Sequence, residues 1–111
     1  MAIQFRKRLI DDGRGSPEMV FDVDKPYELV GTFLYVEAEP FGDTILAALD
    51  KVLTGVSQYE EFSGNVCSLQ IRNAATAVVD NLAQGGKGNS CQVGTGELKE
   101  MVLLWLAERN R

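Results

Sequence analysis

Histidine is absent from all 111 residues. Without an imidazole, Ser-His-Asp and Cys-His relays cannot be assembled, and the usual zinc sites fall away with them. Cysteine is nearly absent too. Cys67 and Cys91 stand alone, with no C-x-x-C spacing between them, so neither a disulfide framework nor a redox motif is encoded. Each lies in an expected strand, and both read as buried free thiols. No stretch approaches the roughly 20 apolar residues of a membrane span. Bases are scarce through the middle of the chain: from Asp11 to Glu61 twelve acids face three bases (Arg14, Lys25 and Lys51), a net of −9. A basic nucleic-acid-binding surface is therefore excluded as the organising feature. The single Gly86-Lys87 pair lacks the earlier Gly and the following Ser or Thr of a phosphate loop.

What remains is ordinary globular composition, 45% hydrophobic and 24% charged with a net charge of −5. The length predicts one domain, 1–111, able to build a core without staples. The basic start Arg6-Lys7-Arg8 is followed by Asp11-Asp12 and not by an apolar run, so no secretory signal is expected and the chain is placed in the cytoplasm. The acidity suits either plain solubility or a basic protein partner.

The densest apolar block is at the C-terminal end. Cys91-Gln92-Val93 alternates as a half-buried strand, Gly94 breaks it, and Thr95 stands where a helix begins. Leu98, Met101, Val102 and Trp105 then share one helical face. Leu103, Leu104 and Leu106 widen that face, and Leu103 and Leu106 could dock a partner. Upstream, Ile3 to Arg8 and Met19 to Val23 alternate as two strands of a hairpin. Leu29 to Ala38, rich in β-branched and aromatic residues with apolar positions of both parities, predicts a central strand. A helix follows from Gly42 or Asp43 to Thr54, with Ile45, Leu49, Val52 and Leu53 as its stripe and Gly55 as its stop. Val56 to Asn65 reads as a loop. Asn65 to Arg72 and Thr76 to Leu82 form a second hairpin. The order β-β-β-α-β-β-β-α predicts an α+β fold, a mostly antiparallel sheet with two helices packed on one face.

Candidate contact residues are few. Tyr59, Glu60, Glu61 and Phe62 place two acids between two aromatics, and aromatics are common interface anchors. Glu37 and Glu39 are expected to alternate on one face of a strand end. As an acid–base pair they lack any neighbour to supply a second role. The same holds for Asp22 and Asp24, so no catalytic, metal or cofactor site is expected and the chain reads as a non-enzyme.

Cys67-Ser68-Leu69-Gln70-Ile71-Arg72, then Thr76 to Asp80, then Cys91-Gln92-Val93-Gly94-Thr95-Gly96-Glu97-Leu98 leading to Trp105-Leu106, resembles the C-terminal half of small bacterial immunity proteins. Those families accompany polymorphic or contact-dependent toxins, and the resemblance covers residues 65–107. It implies a cytoplasmic, non-enzymatic protein that binds one cognate toxin domain, often a basic nuclease, and covers its active site. It carries over no contact residue, because such positions vary with the toxin. Glu37, Glu39, Tyr59, Glu60, Glu61 and Phe62 are the residues expected to enter a basic cleft. The competing reading is an adaptor domain, homodimeric through the Leu29–Val36 strand. The sequence leaves monomer or homodimer open.

Overall fold

A computed structural model describes residues 3–11, 13, 18–81 and 90–109. Its elements are β1 (Phe5–Ile10), β2 (Glu18–Val23), α1 (Glu28–Phe33), a π-helical turn (Leu34–Ala38), α2 (Glu39–Leu53), β3 (Tyr59–Ser63), β4 (Cys67–Arg72), β5 (Ala75–Asp80), β6 (Ser90–Gly94) and α3 (Thr95–Arg109). The strands form two antiparallel sheets, a β1–β2 ribbon and a four-stranded sheet in the order β3-β4-β5-β6. The fold is α+β, with helices against the four-stranded sheet.

The largest departure from expectation is residues 29–38, which are helical and not a strand. Val30, Phe33, Leu34, Glu37 and Ala38 are all completely buried. Their spacing of i, i+3, i+4, i+7 and i+8 is a helical stripe, hidden in the sequence by residues that favour strands. The homodimer through a Leu29–Val36 strand is therefore withdrawn, since the apolar side of this segment faces the core.

α2 also starts earlier than expected, at Glu39, so one helical run extends from Glu28 to Leu53. Pro40 explains its irregularity. Proline has no N–H to give and its ring crowds the carbonyl four residues back. The run widens into the π turn just before it, and Phe41 leaves helical geometry at φ −120, ψ 18. At the other end Gly55 takes φ +83 after Thr54, the left-handed stop expected of it.

The second departure is β3, in a segment expected to be a loop. Tyr59 to Ser63 pairs antiparallel with β4, Tyr59 opposite Arg72 and Phe62 opposite Leu69. The β4–β5 hairpin is as expected, with Ile71 opposite Thr76. β6 adds to the far side of β5, Val93 opposite Thr76. Leu82 of the expected hairpin lies outside the described residues.

The core lies between this sheet and the helices. Phe62, Cys67, Leu69, Ile71, Val78 and Val93 project from the sheet, and Leu98, Met101, Val102 and Trp105 project from α3. The expected stripe on α3 is the buried one, while Leu103 and Leu104 stay exposed at 46% and 44%. Trp105 is fully buried, edge-on to Phe21 at 5.2 Å between ring centroids. Phe21 stacks on Phe5 at 4.5 Å, so the β1–β2 ribbon is fastened to the core through its aromatics. Each such side chain contributes about 1.5–3 kcal/mol on burial. Two glycines permit close crossings. A Cβ at Gly31 would stand 2.8 Å from the Phe21 carbonyl, and one at Gly42 would press on Leu106.

Candidate interaction surface

The helices cover one face of the four-stranded sheet, and strand alternation leaves the other face open. On that face β3 presents Tyr59, Glu61 and Ser63, and β4 presents Ser68, Gln70 and Arg72. β5 presents Ala75, Ala77 and Val79, and β6 presents Ser90 and Gln92. β5 carries only short side chains on this face, and the long ones of β4, Gln70 and Arg72, lie beside β3. The tall features of the face gather at the β3 side.

There, Tyr59, Glu61 and Arg72 form one cluster. The Tyr59 hydroxyl donates to Glu61 Oε2 at 2.8 Å. The Arg72 guanidinium lies 4.5 Å from the centroid of the Tyr59 ring, within reach of a cation–π attraction. The hydrogen bond to Glu61 pushes the Tyr59 phenol above its ordinary pKa; partial burial and the Glu61 charge add to the rise, and Arg72 opposes it. Tyr59 is 37% exposed. The two contacts together hold a partly exposed aromatic ring in one orientation.

The backbone beneath the cluster is also fixed. Thr95 is fully buried, its hydroxyl donating to the Arg72 carbonyl and lying 2.8 Å from the Thr76 hydroxyl. The first residue of α3 thereby ties down the end of β4 at the point where Arg72 leaves the sheet.

The structure separates the other expected contact residues. Glu60 points to the helix side of β3 and is half-buried. Phe62 is a core residue, its ring 5.6 Å from Phe41 and 6.5 Å from Phe33. Glu39 is exposed at the start of α2 and ion-paired with Arg109 of α3. It therefore belongs to the helix layer and not to the cluster. Glu37 is completely buried. Its carboxylate accepts from the backbone N–H groups of Asn65 at 3.0 Å, Val66 at 2.7 Å and Cys67 at 2.8 Å. A Cβ at Gly64 would overlap that carboxylate. Glu37 and Phe62 therefore offer no surface to a partner. They hold β3 and its turn in place.

The carboxylates weighed as catalytic pairs are engaged as well. Asp22 lies 3.7 Å from Arg8, and Asp24 lies 3.7 Å from Arg6. Among the described residues no group of three or more His, Cys, Asp or Glu is placed to hold a metal, and no helix is long and apolar enough to cross a membrane. Cys67 and Cys91 are free thiols. Burial pushes the Cys67 thiol up to about 12, with the Glu37 and Asp80 charges adding to it, and burial raises Cys91 as well.

No family model matches the chain, and no solved structure matches it. A curated Bacillus cereus protein does: the two are 41% identical over 88 residues, which is 79% of this chain and 75% of that protein, and it is named "Immunity protein". The chain belongs to the immunity proteins.

In this immunity protein the cluster was only half legible in the sequence. Tyr59 and Glu61 stood out as an aromatic beside an acid. Arg72 did not, because its relation to Tyr59 exists only once β3 is a strand in register with β4. Alternation across Tyr59, Glu61 and Ser63 was the available signal, and two adjacent glutamates obscured it.

Proposed function

We propose that this immunity protein binds a cognate toxin domain and neutralises it by covering the toxin's active site or substrate groove. The observation that carries the reading is the 41% identity to a protein named for immunity. The surface we assign to it is the open sheet face at β3, centred on Tyr59 and Glu61, with Arg72 stacked behind them. The expected mechanism is steric and electrostatic. A net charge of −5, concentrated as −9 between Asp11 and Glu61, would steer a basic partner such as a nuclease toward the protein. Such a toxin would be met in the cytoplasm.

The test begins with the product of the gene immediately upstream, expressed with and without this protein. Rescued growth and a stoichiometric complex support immunity. A harmless product, or a toxic one that is neither bound nor blocked, counts against the proposed function. Charge reversal at Glu60 and Glu61 locates the surface. With binding confirmed, the double variant Glu60→Lys/Glu61→Lys is expected to lose affinity steeply with little change in melting temperature. Unchanged affinity would remove this edge of the sheet from the interface.

A further inference from the structure

β3 is the first strand of the four-stranded sheet, and its outer side meets no other strand among the described residues. Which of its backbone groups are free follows from one hydrogen bond. The Gly64 N–H donates to the Cys67 carbonyl at 2.9 Å, so Gly64 and Cys67 are a hydrogen-bonded pair. Antiparallel pairs alternate between bonded and non-bonded. Phe62 with Leu69 and Glu60 with Ile71 are then the next bonded pairs, while Tyr59, Glu61 and Ser63 direct their N–H and C=O groups away from β4. Ser57 Oγ takes up the Tyr59 carbonyl at 2.9 Å. The backbone groups of Glu61 and Ser63 have no partner among the described residues, and both residues are exposed.

We infer that the toxin adds a strand to this edge, pairing its backbone with Glu61 and Ser63. The inference rests on the proposed immunity function and specifies how the partner is held. An added strand would place its side chains alternately on the two faces of the sheet. One set would meet Tyr59 and Glu61, the other Glu60. Acid on both faces of β3 calls for a basic extended segment. The same charges oppose a second copy, since pairing β3 with itself sets glutamates against glutamates, and like charges directly opposite are destabilising. Glu60 and Glu61 thus guard the edge against self-pairing while admitting an oppositely charged strand. The β1 edge carries Arg6, Lys7 and Arg8 and lacks this complementarity to a basic partner.

The test removes a backbone donor without touching the β3–β4 ladder. Proline is tolerated on an edge strand where its missing N–H would have faced solvent. Glu61→Pro is compared with Glu61→Ala, which loses the same side chain and keeps the N–H. The probe is the upstream gene product, used as the catalytically inactivated full chain. Glu61→Pro should bind roughly tenfold more weakly than Glu61→Ala, the loss expected for one net hydrogen bond. Should Glu61→Pro fail to fold, amide hydrogen exchange on the unmodified protein decides: the Glu61 and Ser63 amides should exchange fast when free and slowly in the complex. Equal affinity of the two variants, or unchanged exchange at both amides, overturns the strand-addition inference and leaves the immunity function standing. Wild-type protein that neither binds the probe nor protects cells overturns both.

Discussion

The Glu37 carboxylate grips the Cys67 amide at 2.8 Å across 30 residues of chain. One oxygen serves Val66 and Cys67 together, and the other serves Asn65. A π-helical turn thus supplies the fixed point from which the β3–β4 turn hangs.

Glu37→Ala should be among the most damaging single changes in the protein. It leaves three amides without their acceptor, that of Cys67 buried and those of Asn65 and Val66 partly so, at about 1–3 kcal/mol for each group that water cannot reach. We expect a loss of about 3–5 kcal/mol in urea unfolding, with Glu37→Gln milder because one acceptor oxygen remains. A change under about 0.5 kcal/mol, the range of ordinary surface substitutions, would show that the carboxylate is not an anchor.

Gly64→Ala tests the same site from the other side. The added methyl would overlap the Glu37 carboxylate, and overpacking of this kind costs about 1–3 kcal/mol. The two changes should be strongly non-additive in a double-mutant cycle, because the methyl clashes only while the carboxylate is present. Simple additivity would refute the contact.

Thr95→Val keeps the shape and deletes the hydroxyl. The Arg72 carbonyl and the Thr76 hydroxyl then each lose a buried partner, for about 1–3 kcal/mol. Adding Thr76→Val should cost less in this background than on its own. If binding to the toxin also weakens in a Thr95→Val protein that remains folded, the anchored Arg72 backbone contributes to presenting the cluster.

Cys67 should resist alkylation in the native protein at pH 8, with Cys91 modified first and Cys67 only after unfolding, as mass spectrometry of timed labelling would show. Its raised pKa also gives stability a pH dependence. The unfolded thiol ionises near its ordinary value of 9.0, while the folded one stays protonated to about 12. The contribution is therefore intact below pH 9 and is lost as pH rises from 9 toward 12. A Cys67→Ala protein should show a shallower decline across that window; an identical slope would speak against the shift.

Leu103 and Leu104 are exposed on α3, beside Glu100 and Ala107. Leu103→Lys/Leu104→Lys should change stability by no more than about 0.5 kcal/mol per site. If it abolishes toxin binding, the interface lies on α3 and not on β3.

The elements that were legible in the sequence share one property: a single period dominated them. The α3 stripe, the α2 stripe and the alternation of β4 each read one way. Residues 29–38 failed because two periods coexist there. Val30, Thr32, Leu34 and Val36 satisfy a strand, and Val30, Phe33, Leu34, Glu37 and Ala38 satisfy a helix. The deciding residue was Glu37, whose side chain is satisfied only by a turn 28–30 residues away. No local pattern can display such a partner. β3 failed for the opposite reason, since two glutamates and a serine gave it little strand propensity and its pairing with β4 supplied the rest.

Antiparallel alternation divides β3 into two independent vocabularies. Phe62 and the amides bonded to β4 answer to the interior, whereas Tyr59, Glu61 and Ser63 answer to whatever lies outside. None of the outward three belongs to the core cluster, and the turn beside them is held from beneath by Glu37. If the toxin docks on this edge as proposed, the protein could be matched to a different toxin by changing that strand while its scaffold stays the same, and a designer wishing to retarget it would start with those three positions.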